Sequence, residues 1–167
     1  MKHSFTVKSV MLVALLGFLA LGLAPVASAA STITTSFTVT ATVANICSVG
    51  ATNMAFGPVL AAGNQTTSTI TVTCTPGDAY TVALSAGNSG AEGARYMKGT
   101  GAHQLSYALT ENAYGGTNWG TTAGAVAGSG NGAAQPLTVY GQITAAQALA
   151  APVDATYSDS ITVTVTY

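Results

Sequence analysis

The stretch Ile33-Thr34-Thr35-Ser36-Phe37-Thr38-Val39-Thr40-Ala41-Thr42-Val43 decides the fold class. Ile33, Phe37, Val39, Ala41 and Val43 share one parity, and Thr34, Ser36, Thr38, Thr40 and Thr42 hold the other. Successive side chains of an extended chain point to opposite sides, so this period of two gives a strand with one apolar and one hydroxyl face. The β-branched content favours the same conformation. The C-terminus repeats the pattern: Ile161, Val163, Val165 and Tyr167 alternate with Ser160, Thr162, Thr164 and Thr166.

Working outward, further strands are expected at Thr69–Cys74, Ala79–Leu84, Gln104–Thr110 and Pro136–Ile143, with a short one around Met54–Phe56. Turn residues separate them, among them Pro76-Gly77, Gly87-Asn88, Gly115-Gly116 and the run Gly128–Gly132. Thr144–Ala151 is rich in helix formers but short, and reads as a loop with at most one helical turn. No internal repeat and no second domain is evident. About seven short strands with turn signals between them predict an all-β sandwich.

The N-terminus has a different character. Lys2 and Lys8 precede an apolar run from Val10 to Leu23, then Pro25 and the small-residue triplet Ala27-Ser28-Ala29. This is the order of a secretory signal peptide, and the run falls short of the ~20 residues that span a bilayer. Residues 1–29 are therefore expected to be removed. The remainder is long enough for one domain with a real core. It carries two bases, Arg95 and Lys98, against five acids, a net of −3. So few bases leave no electrostatic footprint for nucleic acid or anionic lipid. The mean hydropathy of +0.45 is raised by the leader.

Both cysteines, Cys47 and Cys74, lie beyond the leader, and an exported pair points to a disulfide. Closing that loop would stabilise the fold by roughly 3–4 kcal/mol on the chain-entropy model. A metal site is the alternative, but beyond the leader it would have only His103 to draw on and no CxxC pair. A blue-copper centre needs a second histidine. Catalytic signatures such as GxSxG, HExxH and the phosphate-binding loop do not occur. Asp154 and Asp159 read as turn residues and His103 as an exposed loop residue. A hydrolase built on His103 and a carboxylate is the weakest alternative. Asn64-Gln65-Thr66 matches a glycosylation sequon. Tyr114 and Trp119 could stack on a sugar, although aromatics more often serve the core. The residues therefore favour a structural or binding protein over an enzyme, with no cofactor.

The chain beyond the leader resembles the spore coat U domain family, which includes the pilins of archaic chaperone–usher pili. The resemblance rests on the alternation leading into Asn45-Ile46-Cys47, on Ile70–Cys74 (ITVTC) and on Leu137–Ile143 (LTVYGQI). It rests most specifically on the ending Tyr157–Tyr167, a Tyr-x-Asp followed by an alternating strand that closes on an aromatic. Tyr114–Gly120 (YGGTNWG) fits more loosely, and the Gly/Ala-rich loop at 128–134 departs from the pattern.

The resemblance implies an incomplete immunoglobulin-like β-sandwich at 45–167 with an N-terminal donor-strand extension at 30–44. It implies a structural subunit of a surface pilus or fimbria, assembled by donor-strand exchange and supporting adhesion and biofilm formation. The implied partners are a periplasmic pilus chaperone, an outer-membrane usher and neighbouring copies of the subunit. The location would be the periplasm in transit and then the cell surface. Ile33, Phe37, Val39, Ala41 and Val43 would be the donor residues. Ile161, Val163, Val165 and Tyr167 would form the edge of the acceptor groove. A secreted, non-polymerising β-sandwich that binds carbohydrate or contributes to a coat or matrix is the alternative. In that case Ile33–Val43 would be the first strand of a complete sandwich.

Overall fold

The computed structural model describes residues 29–122 and 124–167. The signal-peptide expectation falls almost wholly outside the described residues. The chain divides into two units, residues 1–40 and residues 41–167. In the first, the described residues form neither helix nor strand and are exposed.

Among the described residues, all the secondary structure lies in the second unit. Nine strands form: β1 (Cys47–Ala51), β2 (Gly63–Cys74), β3 (Ala79–Leu84), β4 (Tyr96–Lys98), β5 (Gln104–Ser106), β6 (Ala108–Thr110), β7 (Val126–Ser129), β8 (Gln135–Thr144) and β9 (Val163–Thr166). One short helix, α1 (Ala145–Ala150), follows β8. One sheet has the order β1-β2-β8-β6, a second β7-β3-β9, and β4-β5 make a hairpin. Every pairing is antiparallel. This is the expected all-β sandwich.

The period of two explains the core. On β2, Ile70, Val72 and Cys74 point inward, while Thr69, Thr71 and Thr73 alternate with them on the wetter face. Tyr80, Val82 and Leu84 do the same on β3, and Val139 and Ile143 on β8. Leu105, Tyr107, Leu109 and Trp119 join them in one cluster. Gly128 on β7 lies against the Tyr80 ring: a Cβ there would come within 2.4 Å of it. Only glycine permits that approach.

Several expectations need correction. Nine strands form, not about seven. The Gln104–Thr110 strand is broken at Tyr107, where the chain changes partner: Gln104–Ser106 pairs with β4, a pairing that Tyr107 N extends by donating to Arg95 O at 3.0 Å, while Ala108–Thr110 pairs with β8. Met54–Phe56 is not a strand. β1, β4 and β7 were not anticipated, because the first is mostly exposed and the others are short or glycine-rich. Thr144–Ala151 forms a true helix. At its N-terminus the Thr144 side chain accepts from Gln147 N while the Gln147 side chain accepts from Thr144 N, a capping box that satisfies both of these amide donors.

Candidate functional site

The sandwich is open along one side. β1 pairs with β2 alone and β9 with β3 alone, so each is an edge strand among the described residues. A groove of about 540 Å³ runs between the segment that continues β1, Ala51–Phe56, and the segment that leads into β9, Tyr157–Val163. Core side chains form its floor: Ile70, Leu84, Leu109 and Val139. Half-buried apolar residues form the rims, Met54 and Phe56 on one side and Tyr157, Ile161 and Val163 on the other. An edge strand beside a gap presents unpaired N–H and C=O groups, a template for another strand.

Beyond Ala51 and Val163, which are paired in β1 and β9, the rims are held by individual hydrogen bonds. On the β1 side, Thr52 N donates to Thr69 O at 3.0 Å, and Ser68 Oγ donates to Thr52 O at 2.5 Å. Asn64 Nδ2 donates to Phe56 O at 2.7 Å and to Pro58 O at 3.0 Å. The amide of the candidate sequon is thus spent on fixing the rim. Gly141 makes room for that rim: a Cβ there would lie 2.3 Å from Met54 Sδ and 3.0 Å from Phe56 Cζ.

On the β9 side, Ser85 N donates to Thr162 O at 3.0 Å, and Thr162 N donates to Ser85 Oγ at 2.9 Å. Asp159 accepts from Asn88 N at 2.8 Å, Ser160 N at 2.7 Å and the Tyr107 hydroxyl at 2.6 Å. Burial, reinforced by donation to Asp159, pushes the Tyr107 phenol well above its ordinary value. Arg95 anchors the far side of Ser85. Its side chain is fully buried, at 0% exposure, and donates to the backbone oxygens of Leu84, Ser85, Glu92 and Trp119 and to Asn118 Oδ1. Burial lowers its pKa from the usual guanidinium value.

The anticipated edge residues map onto this groove in part. Ile161 and Val163 line it. Val165 is half-buried on β9, and Tyr167 is exposed beyond the end of the strand. Residues 31–46 carry no strand pairing. Ile33, Phe37, Val39 and Val43 are 95%, 88%, 80% and 80% exposed, and Ala41 is exposed too. An alternating apolar face left in water is a face without a partner. The lining residues Met54, Phe56, Met97 and Tyr157 were not read from the sequence as part of a groove. Their one signal was the short apolar segment Met54–Phe56.

Other candidates take structural places. Cys47 and Cys74 form a disulfide that fastens the first residue of β1 to the last of β2. Trp119 is 1% exposed, and its Nε1 donates to Val82 O at 2.9 Å. It belongs to the core, so the sugar platform imagined from Tyr114 and Trp119 does not form. Tyr114 instead packs edge-on against Tyr140 at 5.2 Å. His103 Nδ1 lies 3.0 Å from Asp154 Oδ2. Asp154 also accepts from Thr100 N at 2.5 Å and Thr100 Oγ1 at 3.0 Å. The Thr100 amide is the main cause that holds its carboxyl down at about 2. A carboxylate so fully engaged ties the β4–β5 turn to residues 154–158 and has little basicity left for catalysis.

Comparison with known proteins agrees with this fold. Among solved structures, the chain is similar to one in the crystal structure of a chaperone–tip adhesion subunit pre-assembly complex from the archaic chaperone-usher Csu pili of Acinetobacter baumannii. The TM-score is 0.55 at 24% identity, over 75% of this chain and 40% of that one. The chain therefore spans well under half the length of that solved relative, and the likeness is one of fold. No curated protein matches. The Spore Coat Protein U domain model matches residues 33–164, from the first apolar residue of the N-terminal alternation into β9. The chain belongs to the Spore Coat Protein U domain family.

Proposed function

We propose that this chain is a structural subunit of a chaperone–usher pilus, and that its open sandwich is completed by a strand from another polypeptide. One observation carries the proposal: an apolar-floored groove bordered by two unpaired edges, in a chain that also carries an exposed, apolar-alternating segment at 33–43. An added strand would meet main-chain partners along the groove, and its alternate side chains would fill the floor. In transit the donor is a periplasmic chaperone. At the outer-membrane usher it is replaced by residues 33–43 of the neighbouring subunit, with Ile33, Phe37, Val39, Ala41 and Val43 facing inward. Such a contact is head-to-tail and does not close on itself, so repetition makes a filament. Residues 1–29 direct export, and the filament supports adhesion and biofilm formation at the cell surface. The role is mechanical and needs no cofactor.

The experiment is to produce residues 44–167 with and without a synthetic peptide of residues 31–44. The proposal expects aggregation or rapid loss of the chain alone, and a soluble one-to-one complex with the peptide. The full exported chain, co-produced with a chaperone and usher, should give thin fibres in electron micrographs. A stable 44–167 monomer that ignores the peptide would defeat the proposal.

A further inference from the structure

The disulfide has a neighbour whose presence the fold does not explain. Asp78 is only 7% exposed, and its Oδ2 lies 3.7 Å from Cys47 Sγ. A disulfide sulfur has no proton to donate. Among the described residues no other side-chain partner and no ion pair is found for the Asp78 carboxylate. The backbone holds it in place. Gly77 N donates to Gly130 O at 2.9 Å, Asp78 N to Thr75 O at 3.1 Å, and Gly130 N to Asp78 O at 2.7 Å. Cys47, Cys74 and Asp78 together have the look of a metal-ligand trio. With the two sulfurs joined, no thiolate is available to a metal.

We propose that Asp78 is an electrostatic guard that slows attack by thiols on the Cys47–Cys74 disulfide. Reduction begins when a thiolate approaches one sulfur in line with the S–S bond. Cys74 is 2% exposed, so Cys47 Sγ is the accessible target. The attacking thiolate forms a mixed disulfide with Cys47 as the Cys47–Cys74 bond breaks. The electron pair moves to Cys74 Sγ, which takes a proton from water. The second thiol of a dithiol reductant then releases Cys47 as a thiol and leaves the reductant oxidised. The first step brings an anion up to the sulfur that Asp78 faces. The alternative attack, on Cys74, expels a Cys47 thiolate beside the same carboxylate. Both routes place two like charges a few ångströms apart in a half-buried site, where their repulsion is far stronger than in water.

The guard protects an otherwise weakly held element. β1 has a strand partner on one side only, and the disulfide fastens its first residue. An exported protein meets thiol–disulfide oxidoreductases, and losing this bond would free the strand whose continuation forms a groove rim.

The test compares the exported chain with its Asp78→Asn variant, which keeps the shape and removes the charge. Disulfide loss is followed by mass spectrometry after quenching, with dithiothreitol and with an uncharged trialkylphosphine. The variant should be reduced by dithiothreitol about tenfold faster or more, and no faster than the parent by the neutral phosphine, whose attack on Cys47 builds a phosphonium cation beside Asp78 rather than a like charge. Equal acceleration by both reagents would mean that the substitution merely loosened the fold, and would overturn the guard. So would no change with either. The parent chain supplies a second measurement should the variant fail to fold. A cationic aminothiol should outpace an anionic mercaptosulfonate, compared per thiolate, by more than it does at the disulfide of a Cys47–Cys74 peptide pair lacking Asp78. Salt should shrink that excess. Equal ratios on protein and peptide would refute the proposal.

Discussion

Substitution at Phe37 tests the division between giving and receiving strands most directly. Phe37 is 88% exposed in the single chain, so Phe37→Asp should leave the thermal midpoint of the unassembled subunit unchanged. Its effect should appear on assembly alone. Full burial of a phenylalanine contributes about 1.5–3 kcal/mol, which corresponds to about 10- to 150-fold in affinity. The aspartate adds the cost of carrying an unpaired carboxylate into an apolar groove, so filament yield should collapse rather than fall by half. Thr38 has the opposite parity and supplies the control. Thr38→Lys keeps the apolar face intact and places its charge toward water, so it should polymerise nearly as the parent does. The assay is sedimentation of fibres from the periplasmic extract, with a synthetic 31–44 peptide carrying either change as competitor. Long fibres from Phe37→Asp would refute the donor assignment. Inhibition by Thr38→Lys with tolerance of Phe37→Asp would refute the register, because a one-residue slip exchanges the two faces.

Three further predictions rest on the groove's supports. Arg95→Met should destabilise the domain by about 3 kcal/mol or more in urea, because the carbonyls of Leu84, Ser85 and Trp119 lose their donor while buried; an unchanged midpoint would show that water replaces the guanidinium. Gly141→Ala should push Met54 and Phe56 off the rim, cost about 1–3 kcal/mol of stability and weaken donor-peptide binding, measured by calorimetry. Asp154 has its pKa depressed in the fold, so the stability it contributes is fully present above the unfolded value near 3.8 and is lost as pH falls through about 2. The Thr100 amide resonance should therefore hold its folded position at pH 4 and move only towards pH 2, and a midpoint at the unfolded value would contradict the hydrogen bonding described.

The sequence disclosed the sandwich because strands with one wet face write their burial as alternation. Ile70-Thr71-Val72-Thr73-Cys74 and Tyr80-Thr81-Val82-Ala83-Leu84 fold as they read. It hid β7, where Val126-Ala127-Gly128-Ser129 has too little apolar weight to signal, and where Gly128 is required only because the Tyr80 ring lies above it. It also hid the polar scaffolding. Arg95 and Asp159 look like surface charges in a linear chain, and only tertiary contact turns one into a clamp on backbone oxygens and the other into an acceptor for a buried phenol. The alternation at 33–43 was plain, but alternation reports an apolar face and not what covers it.

The same scaffolding bears on how a subunit of the proposed kind could wait for a strand without collapsing. A groove lined only by apolar rims would tend to close on itself, since burial of that surface is favourable and non-directional. Here the rims are fixed from behind. Ser68 and Asn64 hold the Thr52–Pro58 side, while Ser85 and Asp159 hold the Ser158–Thr162 side. Rim closure would require breaking several of these directional bonds and leaving Tyr107 and Asp159 unsatisfied in a dry interior, at about 1–3 kcal/mol per orphaned group. The hydrogen bonds that sequence reading overlooked therefore oppose closure of the gap, and they would give the proposed donor strand a preformed site. Asp159→Ala removes three of them, from Asn88 N, Ser160 N and the Tyr107 hydroxyl, and leaves Ile70, Leu84, Leu109 and Val139 of the groove floor unchanged. It should lower donor-peptide affinity while leaving the disulfide intact, and an unchanged affinity would show that the rim is held by packing alone.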